Sequence, residues 1–175
     1  MHDENEKGLI GKAIDRAQDA IGAAVGQASA AGAANDAAAF VNAASTGDLF
    51  IIEAAQLGLD RGTSEDVRAL ASTLIDDHQR GFEHLRTKAR SAGVSDAIAT
   101  SLDERRRGMI DNLRDAGSDF DAVFLRQQAA AHQEAYTLHQ GIAERGDEPG
   151  LRGLADATAP KLAQHISIIN RLQAP

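Results

Sequence analysis

From residue 36 onward, apolar residues recur every third or fourth position, the period of an amphipathic helix. Asn35 or Asp36 is placed to cap a first helix that runs to about Gly62. Thr63 and Asp66 have capping-box spacing and open a second helix, from about residue 64 to Ala92, which stops at Gly93. Ser101 with Glu104 opens a short helix that ends at Gly117, and Ser118 with Asp121 caps a longer one that runs to Gly146. Asp147 and Pro149 start the last helix, with proline just inside the N-terminus. No segment of useful length alternates with period two, so the chain reads as all-α.

The turns near residues 62 and 147 are short, which makes the helices on either side of each antiparallel neighbours. Residues 94–117 are the long connection between the two pairs. The economical architecture is a four-helix bundle of two antiparallel hairpins with a short crossover helix. Residues 1–35 stand apart. Ile10, Ile14, Ala17, Ile21 and Val25 keep helical spacing, but the stripe is thin. Gly8, Gly11, Gly22 and Gly26 each weaken it by about 1 kcal/mol relative to alanine. "ASAAGAAND" then reads as a loose linker. The expected organisation is an N-terminal amphipathic helical extension over 1–35, suited to docking on a partner, another copy or a membrane surface, and a bundle over 36–175.

Three histidines interrupt the apolar stripes. The second helix presents Val67, Leu70, Ala71, Leu74, His78, Phe82, Leu85 and Ala89 on one face. The last presents Leu151, Leu154, Thr158, Leu162, His165, Ile169 and Leu172. The helix between carries Phe120, Phe124, Ala131, Ala135, Leu138 and Ile142, with His132 beside Ala131. His78 lies about 15 residues past the first turn, roughly 22 Å along its helix. His132 lies about 15 residues before the second turn and His165 about 17 after it. With both turns at one end of the bundle, the three imidazoles share one level. On the first helix that level falls near Gly47 and Asp48, with Glu53 one and a half turns nearer the first turn.

Three neutral imidazoles and a carboxylate suit Zn, Fe, Mn or Cu. The candidate ligands are therefore His78, His132 and His165, with Asp48 or Glu53 as the carboxylate. The competing account is a hydrogen-bonded polar layer with no ion. His139, two turns from His132, is a candidate second-level ligand, whereas His84 falls on a solvated face. Asp77 is adjacent to His78 and points about 100° away, which suits a surface or supporting group better than a ligand. Pro160 lies inside the last helix, one turn before His165, and is expected to kink it.

Composition narrows the chemistry. The 175 residues are 43% hydrophobic but only 3% aromatic, so alanine-rich helices must pack closely through small side chains. The chain has no cysteine, which excludes disulfides, zinc–thiolate sites and thiol catalysis. A formal charge of −8 leaves no basic surplus for nucleic acid. No apolar run is long enough to span a membrane, and the acidic N-terminus lacks the apolar region of a secretory signal. The chain as written is expected in the cytoplasm, or in the periplasm if a leader has been removed. Phosphate-binding glycine loops, a fixed Ser–His–Asp arrangement and the E-x-x-H pairs of di-iron bundles are all missing.

The order and spacing of Phe40, Val41, Gly47, Glu53, Asp77, His78, Phe120, Asp121, His132, Pro160, Leu162 and His165 resemble a bacterial domain-of-unknown-function family. Its members are often labelled outer-membrane or periplasmic proteins. The resemblance covers about residues 38–173 and implies a ferritin-like four-helix bundle with no established activity. Two functional readings follow. One is a metal-binding or stress-associated protein that is not a demonstrated enzyme. The other is a structural or interaction module whose histidines form an internal polar network.

Overall fold

A computed structural model of the chain describes residues 24–30, 32, 33 and 35–174. Among these residues there is no strand. The long helices are α1 (Ala37–Arg61), α2 (Glu65–Ser91), α4 (Phe120–Arg145) and α5 (Pro149–Gln173), with the shorter α3 (Glu104–Asp115) in the connection between α2 and α4.

The starts of these helices follow their capping residues. Asp36 accepts from the Ala39 backbone N–H at 2.6 Å and opens α1. Ser64, not Thr63, caps α2, accepting from Val67 at 3.0 Å. Asp103, not Ser101, caps α3 through the Arg106 N–H at 2.8 Å. No side chain caps α4, which grows out of a 3-10 turn at Gly117–Asp119. Asp121 is instead used across the fold. Its carboxylate accepts from the backbone N–H of Thr63 and Ser64, both at 2.9 Å, and from the Thr63 hydroxyl at 2.6 Å. Gly93, at φ +72°, takes the left-handed conformation that ends the α2 helix region and turns the chain into the crossover. Pro149 occupies the first turn of α5, and α5 continues as one helix through Pro160, whose ring lies on the exposed face.

α1 packs on α2 and α4 on α5, as two hairpins, and the hairpins meet through α1 against α4 and α2 against α5. The bond from Asp121 to the α1–α2 turn places that turn at the start of α4. The two hairpin turns therefore sit at opposite ends, not at the same end as the height comparison assumed. His78 and His132 lie at the middle of their helices, so for them the choice of end makes little difference, and His165, two thirds of the way along its own helix, still comes to their level. The long connection carries the chain from the far end of α2 back to the start of α4.

The core is divided. One apolar cluster gathers Phe50, Ala54, Leu70, Leu74, Phe120, Phe124 and Ile169, with Ile110 and Leu113 from α3. The other gathers Phe40, Val41, Ala44, Leu85, Ala89, Leu138, Ile142, Leu151 and Ala155. Ala30 and Ala33 belong to this second cluster, so the stretch read as a loose linker includes helical residues packed on the bundle. Ile10, Ile14, Ala17 and Ile21 lie outside the described residues, and Val25 is 51% exposed, not part of a buried stripe.

Candidate metal centre

Between the two apolar clusters lies a polar layer. His78 from α2, His132 from α4 and His165 from α5 are each no more than 6% exposed. Their ring centroids stand 5.1, 5.2 and 5.6 Å apart. One nitrogen from each lies within 4.8 Å of the others. Ligand nitrogens around a tetrahedral ion at 2.0–2.1 Å are about 3.3 Å apart, so a contraction of up to about 1.5 Å in the longest separation would complete the geometry.

The hydrogen bonds fix which nitrogens face inward. His132 Nδ1–H donates to the Gln128 carbonyl at 2.8 Å, one turn back on its own helix. This leaves its Nε2 lone pair free, 3.2 Å from His78 Nε2. His78 Nδ1 is 2.8 Å from Asp48 Oδ1 and donates to that carboxylate. His165 Nε2 donates to Asp77 Oδ2 at 3.1 Å. Its Nδ1 is buried without a hydrogen-bond partner. Each ring thus has one nitrogen held by an acceptor outside the cluster and a second that no such acceptor holds. Outer acceptors of this kind fix the tautomer and raise the basicity of a metal-ligating imidazole.

Burial favours the neutral form of two of the rings, His132 and His165. Burial pushes His132 well below the usual histidine range, and positive charge on His78 or His165 would depress it further. Burial lowers His165 too, with His78 adding to the effect and the bond to Asp77 opposing it. Burial works to raise the Asp77 carboxyl, but hydrogen bonds from Arg80, His165 and Lys161 outweigh it and hold the group at about 2. Neutral imidazole is the form that donates a lone pair to an ion.

Asp48 arrives at the level expected of it, but it orients His78 and is outside the three-nitrogen cluster. Glu53 does not come to the centre. It pairs with Arg114 of α3 at 2.9 Å on an outer face. Asp77 takes the supporting role expected of it, though toward a different histidine. It does point away from His78, and that direction carries it to His165 on the neighbouring α5. His84 is exposed, as its face suggested.

A cavity of about 60 Å³ adjoins the layer, with His78, His165, Asp48 and His139 in its wall. Gly47 also lines it, and a Cβ there would meet nothing within 4 Å. Beside it sits an ion cluster that the sequence did not reveal. Glu134 of α4 accepts from Arg105 at 2.9 Å and from Arg106, and Arg106 also donates to Asp103 at 2.5 Å. Gly26 packs so closely on this cluster that a Cβ would lie 2.0 Å from the Glu134 carboxylate. Nothing in local spacing signals this pairing, because it depends on the path of the crossover.

The fold and the layer together define an all-helical bundle with a buried three-histidine centre. The family described as "Domain of unknown function (DUF4142)" matches residues 22–172, and the chain belongs to it. That match begins within the N-terminal segment, earlier than the resemblance read from the sequence. No curated protein and no solved structure matches the chain.

Proposed function

We propose that the protein binds one divalent transition ion through His78 Nε2, His132 Nε2 and His165 Nδ1. The observation that carries this reading is the buried, unpartnered Nδ1 of His165, facing two other imidazoles whose second nitrogens are already held. A polar layer without an ion would leave that atom unsatisfied, at a cost of about 1–3 kcal/mol. An ion satisfies it. Three imidazoles suit Zn²⁺, Cu²⁺ or Fe²⁺ better than hard oxygen-preferring ions. The carboxylates of Asp48 and Asp77, one bond further out, offset the charge of a divalent ion. The crossover from the far end of α2 to the start of α4 supports a ferritin-like arrangement of the helices. The donors differ from those of di-iron bundles, so the reading is a mononuclear centre.

Zn²⁺, Mn²⁺, Fe²⁺ and Cu²⁺ titrations of tag-free protein, followed by calorimetry and thermal unfolding, test it. At a free ion concentration of 100 Kd the stabilisation is about 2.7 kcal/mol, or a melting temperature higher by about 5–10 °C. His78→Ala and His165→Ala should each abolish the rise. A melting temperature unmoved by all four ions would overturn the reading, as would a rise that persists in both variants.

A further inference from the structure

His139 is the titratable group near the centre that metal binding does not use. It lies two turns beyond His132 on α4, and its ring is held in the same way. Nδ1–H donates to the Ala135 carbonyl at 2.8 Å, as His132 donates to Gln128. The two rings therefore project alike, offset by seven residues, or about 10 Å along the helix axis. Phe40 holds the His139 ring edge-on at 5.3 Å between centroids. Its Nε2 has no hydrogen-bond partner among the described residues.

His78, His165 and His139 line one cavity, so His139 shares that space with two of the three histidines of the centre. Its 60 Å³ is enough for about four water molecules. The other titratable groups in its wall are engaged with one another. Asp48 of α1 holds His78 of α2; Asp77 of α2 holds His165 and Lys161 of α5; Glu134 of α4 holds Arg106 of α3. His139 alone among them has a free ring nitrogen outside the metal-facing set.

We propose that His139 is a proton relay between bulk water and a water molecule coordinated at the three-histidine centre. The reading rests on the metal site proposed above. Three protein donors leave a position open for water. A divalent ion held there would supply the acidity, and the proton that water gives up is the one His139 takes. The proton passes along the intervening waters to form an N–H bond at His139 Nε2, which then releases it to solvent. The reverse sequence restores the starting state, so no oxidant or other reactant is consumed. Burial lowers the His139 pKa, with the Ala135 bond and the Asp48 charge opposing, which keeps its Nε2 unprotonated and ready to accept at neutral pH.

The full chain loaded with Cu²⁺ provides the test. Electron paramagnetic resonance reports the nitrogen ligands, and proton relaxivity of the solvent reports how fast protons leave the coordinated water. His139→Ala and His139→Gln should keep the nitrogen signature and the Cu²⁺ affinity, and should lower the proton relaxivity several-fold. Added 4-methylimidazole should restore it in the alanine variant. Relaxivity equal to the parent in both folded variants overturns the relay and leaves the metal site standing. Loss of the nitrogen signature in the parent protein itself overturns the metal site and the relay with it.

Discussion

Asp77 joins two helices through charge, and its removal has a calculable cost. Its carboxylate lies 3.1 Å from His165 Nε2 and 3.3 Å from Lys161 Nζ on α5, and 2.6 Å from Arg80 on its own helix. These donors hold its pKa at about 2, against an ordinary 3.8. At 1.36 kcal/mol per unit, that difference corresponds to about 2.4 kcal/mol of folding free energy at neutral pH. Arg80 and Lys161 are 66% and 51% exposed, so solvent screens part of the attraction and about 1.5 kcal/mol is expected. The folded pKa is depressed, so the contribution is complete above about pH 4 and disappears as pH falls through 2. Urea unfolding of ion-free protein, with Asp77→Asn beside the parent, measures the gap. It should be about 1.5 kcal/mol at pH 7 and roughly half that at pH 3. A gap independent of pH, or a variant as stable as the parent at pH 7, would refute the charge coupling of α2 to α5.

Four further outcomes follow from the same geometry. Gly47→Ala should stabilise α1 by about 0.5–1 kcal/mol because the new methyl meets open space, whereas Gly58→Ala should destabilise it in the same urea assay, its Cβ falling 2.8 Å from the Phe124 ring. Asp121→Ala removes three hydrogen bonds from the α1–α2 turn and should cost about 1–3 kcal/mol, with faster amide hydrogen exchange at Thr63 and Ser64. Glu134→Gln leaves the buried Arg106 with Asp103 as its main counter-charge and should lower stability by about 2–4 kcal/mol in chemical denaturation. His132, His139 and His165 have depressed folded pKa values, so below about pH 6.5 the unfolded chain binds protons that the native chain does not. The ion-free protein should therefore lose stability as pH drops from 7 to 5, and His132→Leu should flatten that slope.

Much of this molecule can be read from periodicity. The helix count, the short turns, the long connection and the three interior histidines all follow from apolar spacing, because a helix of fixed rise converts sequence distance directly into height. The level assigned to Asp48 was right even though the hairpin turns lie at opposite ends. Asp48 and His78 flank the same α1–α2 turn, so the position of the other turn does not alter their match. What escaped was lateral. Spacing relates Asp77 only to its own helix, while its partner His165 is 88 positions away on another. Height alone puts Glu53 near the centre, but Arg114 reaches it from the crossover, whose route no periodic pattern encodes. The capping residues of α2 and α3 were misassigned by one or two positions, the usual ambiguity where several Ser, Thr and Asp adjoin a helix start.

The histidine layer also has a consequence for how the helices find their alignment. The two apolar clusters are built largely from alanine, leucine and phenylalanine, and such surfaces tolerate one helix sliding past another by a turn of about 5.4 Å. The layer does not. After a one-turn slip of α5, Asp77 would lose its donor His165, and His78 and His132 would lose the third ring of the layer. The three rings act as an index mark, stamped once on each of three helices, that permits a single longitudinal setting of the bundle.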